Sequence, residues 1–150
     1  MSSFTSPLIV TPVDAKYWKL VEQFTYHIGD RDSKEVIVVP VGFVTDFASI
    51  PQLFWSIIPP WGQYGKAAVV HDFLYKSQIL TKKQSDSVFL EGMEILGVSK
   101  IKRTIIYKAV DIFGFIAWNS LKKTPECAKL NALHKVLVVD YWDKKTIYKF

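Results

Sequence analysis

Asp86 stands where a carboxylate is costly. The helix opened by Thr81 and stopped at Gly97 carries Phe89, Leu90, Met93 and Leu96 on one face, and Asp86 falls on that stripe by the three-and-four spacing. A carboxylate turned toward a core is strongly destabilising unless a hydrogen bond or a cation meets it. The preceding helix, over residues 63–77, offers such partners: Ala68, His71 and Tyr75 share a face, with Asp72 one step round. Two consecutive helices are therefore expected to face each other through His71, Tyr75 and Asp86, and small Ala67 and Ala68 let a backbone or a ligand come close. The competing reading is that Asp86 serves only the start of its own helix.

The rest of the chain reads as a single α+β domain over 1–150: an N-terminal antiparallel β-sheet or hairpin, then a three-helix core. The first part, 1–48, is strand-rich. Residues 17–28 are aromatic and β-branched, Gly29-Asp30-Arg31-Asp32 is a turn cluster, and 34–40 is a Val/Ile run, together a hairpin. Residues 42–45 extend the sheet before the chain turns at Asp46. The helical core, 49–121, begins with a short helix over 50–58, with Ser49 as cap and Pro51 near its first position, ending at Pro59-Pro60. After the His71 and Asp86 helices, Ser99 caps a helix over 100–121 that is apolar on most sides and reads as central. Residues 122–150 read as a tail, with strand-like composition over 134–142.

Composition narrows the functional classes. One cysteine, Cys127, excludes an internal disulfide framework and a cysteine-based zinc site, which fits a reducing compartment. The 49% hydrophobic content exceeds what a small core strictly requires, and part of it suits an interface. A net charge of +5 is spread over short clusters such as Lys82-Lys83 and Lys122-Lys123, the pattern of a solvated face rather than of a nucleic-acid site. The apolar run over 104–118 is broken by Lys108 and Asp111 and is short for a transmembrane span. The first residues, Met1 to Pro7, lack a signal-peptide pattern, so synthesis without export is expected.

Several chemistries compete for the polar residues. A His-Asp pair also centres metal-dependent phosphohydrolases, for which only His27 and His134 remain as further histidine ligands. Ser49 and Ser56 lie in no nucleophile-elbow sequence, and no glycine-rich phosphate loop is present. Phe54, Trp55, Trp61 and Tyr64 suit either a core or the mouth of a site for an acyl chain, a membrane surface or a partner. A buried His-Asp-Tyr-Asp network can also simply fix helix packing in a noncatalytic protein.

Two resemblances bear on these choices. The segments Gly42-Phe43-Val44-Thr45-Asp46-Phe47-Ala48-Ser49-Ile50-Pro51, Pro59-Pro60-Trp61-Gly62-Gln63-Tyr64-Gly65-Lys66-Ala67-Ala68, His71-Asp72-Phe73-Leu74-Tyr75 and Ser85-Asp86 resemble the phage- and prophage-associated family called domain of unknown function 1353. The resemblance covers about residues 5–120 and implies a phage or prophage origin, hence a host-cytoplasmic or virion-associated protein. More locally, Ala-Ala-x-x-His-Asp-x-x-Tyr followed by Ser-Asp-x-x-Phe is similar to the catalytic core of phospholipase A2, above all the disulfide-free version in some viral capsid proteins.

That second resemblance implies an ester or phospholipid substrate, with His71 as general base, Asp86 orienting the imidazole, Tyr75 bonded to Asp86, and Asp72 as a calcium ligand. The glycine-rich loop that supplies carbonyl ligands in that fold has no counterpart over 54–60, and Asp46 is the residue expected to help hold Ca2+ instead. Trp55, Trp61 and Tyr64 would line the substrate mouth. The alternative from a different class is a phage structural or host-interaction protein that binds a host or virion protein.

Overall fold

The computed structural model describes residues 3–15, 17–46 and 64–147. Short strands β1 (Ser3–Phe4), β2 (Val10–Pro12), β3 (Trp18–Leu20), β4 (Phe24–His27), β5 (Val36–Val39) and β6 (Val44–Thr45) precede helices α1 (Gly65–Ser77), α2 (Lys82–Ile95), α3 (Lys100–Leu121) and α4 (Pro125–Ile147). The class is α+β, as the sequence implies. The strands form two antiparallel sheets, ordered β1-β4-β5 and β2-β3-β6.

The expected hairpin is β4–β5, with Phe24 opposite Val39 and His27 opposite Val36. The single strand expected over 17–28 is two: the chain bends at Val21–Glu22, so that β3 pairs with β2 and β6 while β4 pairs with β1 and β5. All four residues of β4 and of β5 are buried, which accounts for the unbroken Val36-Ile37-Val38-Val39 run.

One core cluster joins Phe24, Tyr26, Ile37 and Val39 of this sheet to Val69, Val70, Phe73 and Leu74 of α1. A second lies between α1, α2 and α3, around Ala67, Ala68, Phe89, Met93, Ile106 and Val110. Ala67 is small for a packing reason: a Cβ built on Gly92 of α2 would lie 3.0 Å from the Ala67 Cβ. Of the three helix caps read from the sequence, Thr81 and Ser99 are present and Ser49 lies outside the described residues. Thr81 and Gln84 form a reciprocal capping box, and the Ser99 side chain accepts from Lys102 N.

Three expectations are corrected. The central helix is α1, buried at every position from Ala67 to Tyr75, whereas α3 buries only Ile106, Ala109 and Val110. Among the described residues there are four helices rather than the three expected for the core, because 125–147, expected as tail and strand, is α4. The valines over 136–139 suggested a strand, but local start signals and a helical stripe prevail. Thr124 Oγ1 accepts from Cys127 N at 3.1 Å, Pro125 and Glu126 occupy the first turn, and Cys127, Leu130, His134 and Tyr141 recur at helical spacing. The short helix expected over 50–58 lies outside the described residues.

α4 locks the hairpin and the end of α1. Asn131 Nδ2 donates to Ser77 O at 3.1 Å and Cys127 Sγ to the same oxygen at 3.5 Å. His27 Nε2 lies 2.6 Å from the Tyr141 hydroxyl. His134 Nε2 accepts the Val38 amide of edge strand β5 at 3.1 Å, so an unpaired strand donor is satisfied by an imidazole.

That bond requires a neutral ring, and burial pushes the His134 pKa down to about 4. A depressed histidine contributes stability that is fully present above its unfolded pKa and is lost as pH falls toward the folded value. Wild-type stability should therefore decline between about pH 6.5 and pH 4. His134→Gln, whose side-chain oxygen can still accept from Val38, should remove on the order of 3 kcal/mol of that decline. Urea unfolding at pH 7 and pH 4.5 measures it, and equal pH sensitivity in both proteins would contradict the role given to His134.

Candidate active site

α1 and α2 meet through the residues that the helical stripe singled out. His71 Nε2 lies 2.9 Å from Asp86 Oδ1, and the Tyr75 hydroxyl donates to the same oxygen at 2.7 Å. The second oxygen of Asp86 is taken by Lys82, one turn earlier on α2, whose Nζ donates to Oδ2 at 2.7 Å. The same ammonium reaches the Val110 and Asp111 carbonyls of α3 at 3.1 and 3.2 Å. Its three N–H donors thus have three acceptors, and α3 is tied to the site.

Protonation follows from this geometry. Burial works against the Asp86 charge, but hydrogen bonds from His71, Lys82 and Tyr75 outweigh it and hold the carboxyl below its ordinary range. An ionised carboxylate only accepts, so Nε2 of His71 carries the hydrogen and, in the neutral ring, Nδ1 carries the lone pair. His71 is 1% exposed, and its burial pulls the pKa down against the opposing pull of Asp86. The imidazole is stacked on Phe89 at 4.5 Å and 21°. Tyr75 is held far above its usual range by burial and by the neighbouring Asp86.

Two residues of this site were not among the sequence candidates. Lys82 had a signal, since Lys82 and Asp86 are four apart on one helix. Gly114 had a weaker one, a glycine inside an apolar helix. A Cβ built on Gly114 would lie 2.5 Å from the Tyr75 hydroxyl and 3.4 Å from Lys82 Cε, so only a glycine leaves room for that phenol. Trp118, one turn on, meets the Tyr75 ring edge-on at 5.1 Å.

Asp72 forms a second polar centre beside the first. Its carboxyl is 4% exposed, and Oδ2 has no hydrogen-bond partner, the Lys76 ammonium standing 3.5 Å away. Burial raises the Asp72 pKa to about 6; Lys76 and a Thr45 hydrogen bond oppose the rise, and the charge of Asp46 adds to it. Asp46 follows the end of β6 directly, as the sequence suggests, so both carboxylates act on one neighbourhood. Lys76 is itself anchored to Val44 O at 3.0 Å.

Hard oxygen donors and a buried carboxylate oxygen without a hydrogen bond suit a hard cation in kind. In number they fall short: among the described residues no group of three or more His, Cys, Asp or Glu side chains could hold a metal ion. The other histidines are not recruited, since His27 bonds Ser33 O and Tyr141 while His134 bonds Val38 N. Tyr64 is 3% exposed within the second core cluster, and burial raises its pKa to about 12. Trp55 and Trp61 lie outside the described residues.

Two substitutions test the geometry without reference to activity. Gly114→Ala should cost about 1–3 kcal/mol by forcing its methyl group onto the Tyr75 hydroxyl. Adding Tyr75→Phe should recover part of that loss, so the double variant is more stable than Gly114→Ala alone in urea unfolding; strict additivity would contradict the contact. Asp86→Ala should cost about 3–5 kcal/mol, because it leaves the Lys82 charge without its counter-ion and the ring N–H without an acceptor.

Comparison with known proteins places these residues in a wider set. The chain is 42% identical over 78 residues, 51% of its length, to the "Uncharacterized protein y4jT" of Sinorhizobium fredii (strain NBRC 101917 / NGR234). It is 32% identical over 127 residues, 81% of its length, to "Uncharacterized protein y4iH" of the same strain. It spans 23% and 50% of those two proteins. No solved structure matches the chain significantly. Residues 18–110, which include the first polar centre with Lys82 and the second with Asp72, match one family along their whole extent: the chain belongs to the family described as "Protein of unknown function (DUF1353)".

Proposed function

We propose that the protein is a hydrolase that uses His71 as a general base on an ester, in the manner of phospholipase A2. One observation carries the reading: His71 Nε2 and the Tyr75 hydroxyl converge on a single oxygen of Asp86, the arrangement that the resemblance implies for a base, its orienting carboxylate and a supporting phenol. Asp86 fixes the tautomer, so Nδ1 is the atom that accepts a proton from water as that water attacks the ester carbonyl. Burial keeps the imidazole neutral, the form a base requires.

Calcium belongs to the same proposal. Asp72, whose Oδ2 makes no hydrogen bond, and Asp46 are the side chains that would hold it, and the ion would supply polarisation of the carbonyl. A phage or prophage setting, in the host cytoplasm or on the virion, is part of the reading and rests on the resemblance alone.

A second reading is favoured by a different observation. His71 is 1% and Asp86 0% exposed, and Lys82 ties the pair into α3, which suits a noncatalytic phage structural or host-interaction protein whose polar network fixes helix packing.

Hydrolysis of phospholipid vesicles and short-chain esters, followed with calcium calorimetry on wild type, His71→Ala and Asp72→Asn, separates the two. The hydrolase reading expects turnover lost at least a hundredfold in His71→Ala and calcium binding lost in Asp72→Asn, with folding retained. No turnover in wild type, together with marked destabilisation of both variants, would establish the packing role instead.

A further inference from the structure

We propose that the exposed face of α3 is a self-association surface, on which a second copy of the chain docks its own α3 antiparallel across a two-fold axis.

α3 is 22 residues long, or about 33 Å at the usual helical rise. Its inward side is narrow, and its outward side is unusually apolar. Ile101 is 76% exposed, Ile105 36%, Ile112 58% and Phe115 51%, with Ile116 at 64% alongside. These residues are not scattered. Ile101, Ile105, Lys108, Ile112, Phe115 and Asn119 alternate by four and three, the a/d seam of a two-helix coiled coil, and all six are exposed.

The seam is self-complementary in one register. With an antiparallel copy crossing at the level of residue 110, Ile105 meets Phe115 of the other copy, Lys108 meets Ile112, and Ile101 meets Asn119. Every seam position is then used, and each heterologous pair occurs twice, as an isologous interface demands. Charge selects the occupant. Asp111 flanks the seam one position from Ile112, so in this register the Lys108 ammonium of one copy extends toward the Asp111 carboxylate of the other.

Neither Lys108 nor Asp111 makes an ion pair through its side chain among the described residues, although both stand on the same helix. A symmetric copy therefore supplies each with the opposite charge. An anionic bilayer would meet Lys108 favourably but would place Asp111 against like charge, which disfavours lipid as the occupant.

Sedimentation velocity from low micromolar to the highest soluble concentration tests this on the full chain. The expected result is a monomer–dimer equilibrium, abolished by Ile112→Lys with unchanged far-UV circular dichroism. Lys108→Asp should weaken association at least tenfold, and Lys108→Asp with Asp111→Lys should restore it, a rescue that a general loss of folding cannot produce. A monomer at every concentration would overturn the proposal, as would a dimer indifferent to Ile112→Lys or flotation of the monomeric protein with anionic vesicles. The inference is independent of the hydrolase reading.

Discussion

The carboxylate of Asp86 is the group around which the helical half of this protein is arranged. It has four neighbouring demands to reconcile: its own burial, the imidazole of α1, the phenol of α1 and the ammonium of Lys82. Because one oxygen takes His71 and Tyr75 and the other takes Lys82, the charge is compensated without an α3 side chain, and the main-chain oxygens of Val110 and Asp111 complete the ammonium's shell. Gly114 then follows as a steric necessity, since the phenol reaches Asp86 through the space that a side chain there would fill. The close contact of Ala67 with Gly92 fits the same arrangement, because the two bonds from His71 and Tyr75 to Asp86 require α1 and α2 to lie close.

This arrangement bears on chemistry in two opposed ways. The His-Asp pair orients the ring and leaves Nδ1 as the proton acceptor, which serves a base. Lys82, however, shares the charge of Asp86, and a carboxylate already paired with an ammonium stabilises a developing imidazolium less well than a lone one. Asp72 forms a second centre, where its carboxylate pairs with Lys76 and feels the charge of Asp46. Burial and the Asp46 charge make ionised Asp72 costly, and a proton or a cation relieves that cost.

Much of this was legible in the residues. Asp86 on an apolar stripe demanded partners, and the three-and-four spacing of His71 and Tyr75 named them before any fold was known. Thr81 and Ser99 marked helix starts because their hydroxyls have a defined task at an N-terminus. The failures have equally physical causes. α4 is hidden by its valines, whose strand preference masks the helix-start residues Thr124, Pro125 and Glu126. The apolar sequence of α3 suggests a central helix because hydrophobicity reports a preference for burial and does not say what provides the cover. Gly114 carries only a weak signal, a glycine inside an apolar helix, because its role lies in a contact with Tyr75 from another helix.

The most direct test of the central claim is the tautomer and charge of His71, read from long-range nitrogen–proton correlation spectra of selectively labelled protein near pH 6. The account requires a neutral ring with its hydrogen on Nε2, changing to a mixture of tautomers in Asp86→Asn if that variant remains folded. An Nδ1–H tautomer or an imidazolium in the wild type would contradict it, because Asp86 would then not be the acceptor that organises the site.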